Sequence, residues 1–152
     1  GEAPLSYVKR VTQLKLASAM MRLKARKLPK GPVLCADTTV ALGREILGKP
    51  QNVQDALRIL EKLSGKTHRV LTAVAIGEGK RSVSSVSISN VTFASMTLAE
   101  MKAYAASGEP MGKAGAYGVQ GLAAAHISAI KGSYSGIMGL PLYETAELLR
   151  QI

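Results

Sequence analysis

The sequence contains, at residues 33–42, the stretch VLCADTTVAL, which is almost wholly apolar and rich in β-branched residues. This composition predicts a β-strand from Val33 to Leu42 that is buried on both faces. Its one charged residue is Asp37, and a carboxylate in an apolar strand is costly unless a cation or a metal ion compensates it. Asp37 is therefore either functional, as a metal ligand or general base, or structural, capping a loop or pairing with an arginine. Its apolar surroundings favour a function.

The segment before this strand predicts a helix from Ser6 to about Lys27, because it lacks Gly and Pro. Lys15 projects from the edge of its apolar stripe, and Pro29 follows as the first of the residues that stop the helix. The expected stripe consists of Tyr7, Val11, Leu14 and Met21, with Val8 beside it.

The segment after the strand begins with turns at Gly43 and at Gly48-Lys49-Pro50. A helix follows, with Asn52 as its N-cap and Gly65 at its C-terminal end. Its apolar face comprises Ala56, Ile59, Leu60 and Leu63. Two strands are expected next, from His68 to Ile76 and from Ser82 to Phe93. The second is half-exposed, with an approximate alternation of Val83, Val86, Ile88 and Val91.

The last third of the chain opens with a capping box, Thr97 to Glu100, that begins a short helix ending at about Ser107. A Gly-rich loop occupies residues 108–121. A hairpin is expected beyond it, with strands near 122–130 and 134–138, and a final helix ends near Gln151. Because strands and helices are interspersed, the predicted class is α/β, a mixed and twisted sheet with flanking helices.

Composition limits the classes of protein that fit. A chain of 152 residues, 47% of them apolar, is sufficient for one domain with a real core. Its single cysteine, Cys35, excludes a disulfide framework and a cysteine-built zinc site and suits a reducing compartment such as the cytoplasm. His68 and His126 have no nearby cysteine or acidic cluster, so we interpret both as structural or surface residues. No apolar run is long enough to span a membrane, so a soluble protein is expected.

The net charge of +10 is concentrated in residues 1–80, which carry 15 bases and 6 acids, and in particular between Lys9 and Lys30. Such an excess attracts polyanions: nucleic acid, a membrane surface or a phosphorylated small molecule. It also fits a merely solvated helix face. Nucleic acid is not favoured as a partner, because the chain has only six aromatic residues and no recognised binding motif.

Two lysines and one glutamine are candidates for binding a phosphorylated ligand. Lys49 is displayed from a stiff Gly-Lys-Pro loop, and an ammonium group there suits a phosphate. Lys15 has a comparable place at the edge of its helix stripe. Gln120 lies in the Gly-rich loop, where it can both donate to and accept from a base edge. The nucleotide-binding glycine signatures and the serine-hydrolase elbow are absent.

Six blocks of the sequence, taken together, resemble the Maf family of nucleoside triphosphate pyrophosphatases. They lie in the family's order and spacing at residues 33–38 (VLCADT), 48–50 (GKP), 63–68 (LSGKTH), 108–111 (GEPM), 113–121 (KAGAYGVQG) and 139–141 (GLP). The resemblance implies a fold shared with inosine triphosphatases, an elongated α/β structure with a cleft between two lobes. It also implies cleavage between the α and β phosphates, which releases pyrophosphate and a nucleoside monophosphate.

The resemblance also implies roles for individual residues. Asp37 matches the family's proton acceptor and partner of a divalent cation, Mg²⁺ or Mn²⁺. Lys15 and Lys49 match its phosphate-facing lysines. Thr38 and Gln120 match the positions that separate members acting on dTTP and UTP from those preferring 7-methyl-GTP, and this chain is similar to the dTTP/UTP type. A homodimer is a possible assembly of this chain.

The chain also departs from the family pattern. The family's first strand and the Ser-rich, Arg-containing loop after it have no counterpart, so residues 1–152 are expected to form a single Maf-like domain that is N-terminally incomplete. The missing loop would bind phosphate. Two alternatives to an active enzyme follow from this departure: a non-catalytic nucleotide-binding remnant, or a regulatory remnant that binds nucleic acid.

Overall fold

The computed structural model describes residues 1–152 and contains five α-helices and five β-strands. In chain order these are α1 (Pro4–Ala25), β1 (Val33–Leu42), β2 (Glu45–Leu47), α2 (Val53–Leu63), β3 (Thr67–Glu78), β4 (Arg81–Phe93), α3 (Leu98–Ala106), β5 (Ile127–Lys131), α4 (Tyr134–Met138) and α5 (Leu142–Gln151). Short 3₁₀ turns span Ala114–Ala116 and Leu122–His126.

All five strands form one sheet in the order β2-β1-β3-β4-β5. The predicted α/β class with flanking helices is confirmed, but every pairing is antiparallel where a mixed sheet was expected. Short turns join β1 to β2 and β3 to β4, and such turns connect only antiparallel neighbours. Between β2 and β3, helix α2 carries the chain to the other side of β1. Strand β3 therefore runs in the same direction as β2 and antiparallel to β1.

The bounds of β1 are as predicted, but its burial on both faces is wrong. Only Thr39, Val40 and Ala41 are buried, and the first half of the strand is partly exposed. The reason is that β2 pairs only with residues 40–42, whereas β3 pairs along residues 33–41. Residues 33–39 of β1 therefore form an outer edge of the sheet.

Helix α1 covers one face of the sheet with a different set of residues from the predicted stripe. Its buried residues follow a spacing of four: Pro4, Val8, Thr12 and Leu16. Leu14 is 60% exposed and Met21 72% exposed, so both point to solvent. Apolar residues lie on several sides of this helix, and close packing of Val8 against Ala41, Leu71 and Ala73 decides which side faces the sheet.

The opposite face of the sheet carries the larger core. The predicted apolar face of α2 is buried there, and Asn52 caps this helix as expected. Helix α3 begins with the predicted capping box. In β4, the expected inward alternation is wrong, because Val83 and Val91 lie on this face whereas Val86 lies on the α1 face. Ile88 is 48% exposed, since α1 packs on β1 and β3 and leaves β4 uncovered.

The predicted hairpin after the Gly-rich loop is also wrong. Residues 122–126 form a 3₁₀ turn, and β5 pairs with β4. Residues 134–138 form α4, because the Ser133 hydroxyl accepts a 2.9 Å hydrogen bond from the Gly136 amide and caps a helical turn. Buried Ser89 accepts a 2.9 Å hydrogen bond from the Ser133 amide and holds this turn on the sheet. The final helix, α5, ends at Gln151 as expected.

Gly115 tests how tightly the Gly-rich loop packs on β1. Its φ is +70°, and a Cβ there would lie 2.9 Å from both methyl groups of Val40. We expect Gly115→Ala to lower the free energy of unfolding by about 3 kcal/mol, from the backbone conformation and the clash together. Gly43→Ala is the matched control, because Gly43 has a φ of +60° and open space around its Cβ position. Urea unfolding that gave equal losses for the two variants would contradict the packing.

Candidate functional site

A cavity of about 300 Å³ opens at the outer edge of β1, where β2 ends. Consecutive residues of a strand point to opposite faces, so Asp37 lies on the α1 side of this edge and Thr38 on the other. The cavity wraps around the edge and is lined by all five predicted site residues: Lys15, Asp37, Thr38, Lys49 and Gln120. The structure therefore brings together residues from α1, β1, the loop after β2 and the Gly-rich loop.

Asp37 is compensated by Lys15, whose ammonium group donates a hydrogen bond to Oδ1 and forms an ion pair with it. The Asp37 side chain is 18% exposed, whereas that of Lys15 is 50% exposed. The cation required by a carboxylate in an apolar strand is thus a lysine from the neighbouring helix rather than an arginine. The second oxygen, Oδ2, makes no hydrogen bond within the chain, and Asp37 lines the cavity.

Lys49 lines the same cavity from the loop that follows β2. Its ammonium group forms no ion pair with an acidic residue. The loop is held from below, because the Gly48 carbonyl accepts a 3.1 Å hydrogen bond from the Gly115 amide. The basic charge at Lys49 is thereby placed beside the Gly-rich loop and left available to a ligand.

Lys113 is a third lysine of the cavity, and the sequence analysis missed it. Its ammonium group donates a 2.7 Å hydrogen bond to the Glu109 carbonyl oxygen. With Lys15, Lys49 and Lys113 against Asp37, the lining carries an excess of positive charge. The available signal was its place in the Gly-rich loop, as the first residue of the block 113–121 that also contains Gln120.

Thr38 belongs to a buried chain of hydrogen bonds on the far side of β1. Its hydroxyl lies 2.9 Å from that of Thr72, its cross-strand neighbour on β3. Thr72 in turn donates a 2.6 Å hydrogen bond to the Gly136 carbonyl of α4. Thr38 is partly exposed to the cavity, whereas Thr72 is completely buried.

The Gly-rich loop is organised by Glu109, a second residue that the sequence analysis did not single out. Its carboxylate accepts hydrogen bonds from the Tyr104 hydroxyl at 2.7 Å and from the amides of Leu122 and Ala123 at 2.9 and 3.4 Å. Burial alone would raise the pKa of Glu109, but these donors outweigh it and hold the pKa below its ordinary value. Glu109 thus ties both ends of the segment that presents Gln120.

The family model of Maf-like proteins matches residues 1–152, the whole of this sequence. The chain belongs to the Maf family. Among its curated relatives, the dTTP/UTP pyrophosphatase of a Polaromonas species is 64% identical over 149 residues, covering 98% of this chain and 74% of the relative. That of Albidiferax ferrireducens is 62% identical over 150 residues, covering 99% of this chain and 75% of the relative. That of Ralstonia nicotianae is 55% identical over 152 residues, covering 99% and 73%.

The Maf chain has no ready-made protein cage for a metal ion. No three or more His, Cys, Asp and Glu side chains come together anywhere in the structure. Asp37 is the one acidic residue of the cavity. This set fits a cation such as Mg²⁺ that binds one carboxylate and takes its remaining ligands from substrate phosphates and water. It does not fit a cation that requires several protein ligands.

The basic run of this Maf chain lies mostly on exposed surface. Between Lys9 and Lys30, every Lys and Arg is exposed, and Arg10 is paired with Glu2. Lys15 is the one member that lines the cavity. No helix has the length and apolar character needed to cross a membrane.

His68 is structural, as expected, and lies beneath the cavity. It is buried, and its Nε2 lies 2.6 Å from the hydroxyl of Tyr117, a residue of the lining. Its ring also packs against Phe93, with centroids 5.6 Å apart. Burial lowers the pKa of His68 from 6.5 to about 4, so the ring is neutral near neutral pH. His126, at the end of a 3₁₀ turn, is partly exposed and outside the cavity.

His68 makes stability depend on pH in a defined window. The unfolded state binds a proton below pH 6.5 and the folded state only below about 4, so stability falls as the pH decreases between these values. The loss attributable to His68 is up to about 3 kcal/mol. We expect His68→Gln, which can still hydrogen-bond Tyr117, to flatten the pH dependence of urea unfolding in this window. An unchanged slope would show that other groups cause it.

Proposed function

We propose that this chain is a nucleoside triphosphate pyrophosphatase that hydrolyses dTTP, UTP and related modified nucleotides to the monophosphate and pyrophosphate. The observation that carries the proposal is one cavity lined by three lysines and a single aspartate, together with Thr38 and Gln120. The relatives, all dTTP/UTP pyrophosphatases, support the same reaction and substrates. The single cysteine suits the reducing cytoplasm as the place of action.

The lysines would bind the triphosphate. An ammonium group is a compact charge that contacts phosphate oxygens strongly when partly shielded from water. Lys49 has no competing carboxylate, and Lys15 lines the cavity beside Asp37, with which it is paired. Charges held in these positions would stabilise the negative charge that develops on the leaving pyrophosphate.

Asp37 would act on the water that attacks. Water adds to the α-phosphorus, the bond from that phosphorus to the bridging oxygen breaks, and pyrophosphate leaves with the bonding electrons. The free Oδ2 of Asp37 can accept a proton from this water, whereas Oδ1 is engaged by Lys15. The same carboxylate, together with the substrate phosphates, would hold a divalent cation, Mg²⁺ or Mn²⁺. When bound, this cation neutralises charge on the phosphates.

A second candidate is a remnant of this fold that binds nucleotides without hydrolysing them. The observation that favours it is the ion pair of Asp37 with Lys15, which occupies part of the carboxylate that catalysis would need. Titration calorimetry with dTTP and Mg²⁺ separates the candidates, since heat of binding without release of pyrophosphate supports the remnant. A nucleic-acid-binding remnant would instead bind DNA with a steep salt dependence.

Asp37→Asn tests the proposed chemistry. The amide keeps the shape but cannot accept a proton, so we expect release of pyrophosphate from dTTP and UTP to fall by at least about 100-fold. Asp55→Asn, at the first turn of α2 and paired with Arg58, is the matched control and should keep nearly full activity. The assay measures pyrophosphate with Mg²⁺ or Mn²⁺ present. Equal activity in Asp37→Asn and the wild-type chain would remove Asp37 from the mechanism.

Lys49→Met tests the phosphate contact. Loss of the charged donor should raise KM for UTP about tenfold or more, because a hydrogen bond that involves a charged group contributes about 1.5–3 kcal/mol. Lys24→Met, near the end of α1 and outside the cavity, removes the same charge from exposed surface. Steady-state kinetics should therefore separate the two variants. Similar small effects in both would indicate that Lys49 acts only through the net charge.

A further inference from the structure

We propose that Thr72 is a positioning residue that makes Thr38 a hydrogen-bond acceptor toward the cavity, and that the site thereby selects uracil and thymine over cytosine. The inference rests on the proposed function, because it names how the same cavity distinguishes its substrates. It concerns a residue of β3 that does not itself line the cavity.

The direction of the hydrogen bonds from Thr38 through Thr72 to Gly136 follows from the last group in the series, the Gly136 carbonyl. The Gly136 carbonyl can only accept, so Thr72 must donate its single hydroxyl hydrogen there, over 2.6 Å. The contact of 2.9 Å between the hydroxyls of Thr72 and Thr38 then has a hydrogen only if Thr38 supplies it. If Thr72 donated to Thr38 instead, the lone pairs of the Thr72 oxygen and of the Gly136 carbonyl oxygen would face each other.

The Thr72 hydroxyl makes no further hydrogen bond that would compete with this direction. Thr72 is completely buried, so water cannot offer it an alternative partner. The carbonyl at Gly136 is held close, because a Cβ at that position would lie only 2.7 Å from the Ser87 hydroxyl beneath it. The backbone of α4 thus approaches the sheet at the point where the chain of hydroxyls ends.

The consequence for Thr38 is that its oxygen presents only lone pairs to the cavity. Its own hydrogen is committed to Thr72, and no donor of the chain occupies the remaining lone pairs. Phosphate oxygens are acceptors as well, so Thr38 is poorly suited to contact the triphosphate. Thr38 nevertheless lines the cavity together with Gly139, where an added Cβ would be in ordinary contact with the Thr38 hydroxyl oxygen, at 3.7 Å.

The base that fits such an acceptor must carry a donor. Uracil and thymine present N3–H between two carbonyl oxygens, whereas the N3 of cytosine is itself an acceptor and would face the Thr38 lone pairs. Gln120 also lines the cavity, and its amide nitrogen can donate to a carbonyl oxygen of the base. The methyl group of thymine lies away from this edge, so the same arrangement admits both bases.

The experiment compares kcat/KM for UTP, CTP, dUTP and dTTP in the wild-type chain, Thr72→Val, Thr72→Ser and Thr145→Val. The valine has nearly the shape of threonine but leaves Thr38 free to rotate and donate, so we expect the UTP:CTP ratio to fall about tenfold or more. Thr72→Ser keeps the hydroxyl and should restore the ratio. Thr145→Val is the control, because it removes another buried hydroxyl, one bonded to the Pro141 carbonyl.

The outcomes are distinguishable. If the wild-type chain hydrolyses neither UTP nor dTTP, the proposed function fails. If it prefers UTP and Thr72→Val keeps that preference, the present inference fails while the function stands. A change confined to the ratio of UTP to dUTP would assign the Thr38 acceptor to a ribose hydroxyl and overturn the base assignment. If Thr72→Val does not fold, as judged by thermal unfolding, Thr72→Ala provides the same comparison.

Discussion

The ion pair between Lys15 and Asp37 is the interaction on which the rest of the site depends. An aspartate in an apolar strand is tolerated only if a cation meets it, and here the cation comes from a helix packed on one face of the sheet. The position of α1 therefore serves two purposes. Val8 and Leu16 bury apolar surface against the sheet, and the same packing carries Lys15 to the edge of β1.

The edge of β1 explains why the cavity lies where it does. Because β2 pairs with only three residues of β1, the strand continues past its partner, and two successive side chains on opposite faces remain partly exposed at the edge. Asp37 pairs with Lys15 on one side, and on the other side the Thr38 hydroxyl contacts Thr72 of β3, which bonds to α4. The chemistry proposed for Asp37 and the base selection proposed for Thr38 are thereby separated by the thickness of one strand.

The Gly-rich loop closes the cavity from the side of the larger core. Its order comes from buried polar contacts, since Glu109 gathers backbone amides beyond the loop and Tyr117 rests on neutral His68. Gly115 adds a backbone contact to the loop that carries Lys49. A segment rich in glycine is thus held by a few specific hydrogen bonds rather than by bulky side chains.

The sequence by itself determined the elements whose signals are local. The extent of β1, the capped helix after Asn52 and the capping box at Thr97 depend on neighbouring residues, and the structure has them as expected. The sequence blocks also sufficed to indicate the Maf family. Local signals were insufficient for α4, where a Ser133 cap overrides residues that resemble a strand.

Only the tertiary structure decided which faces are buried and which polar groups meet. Apolar residues occur on several sides of α1, so its orientation depends on the sheet that it covers. The antiparallel order depends on where α2 returns the chain, which is a property of packing between distant segments. The hydrogen bonds from Thr38 through Thr72 to the Gly136 carbonyl join three elements that are far apart in sequence. These contacts exist only because the fold brings β1, β3 and α4 together, so no local sequence pattern predicts them.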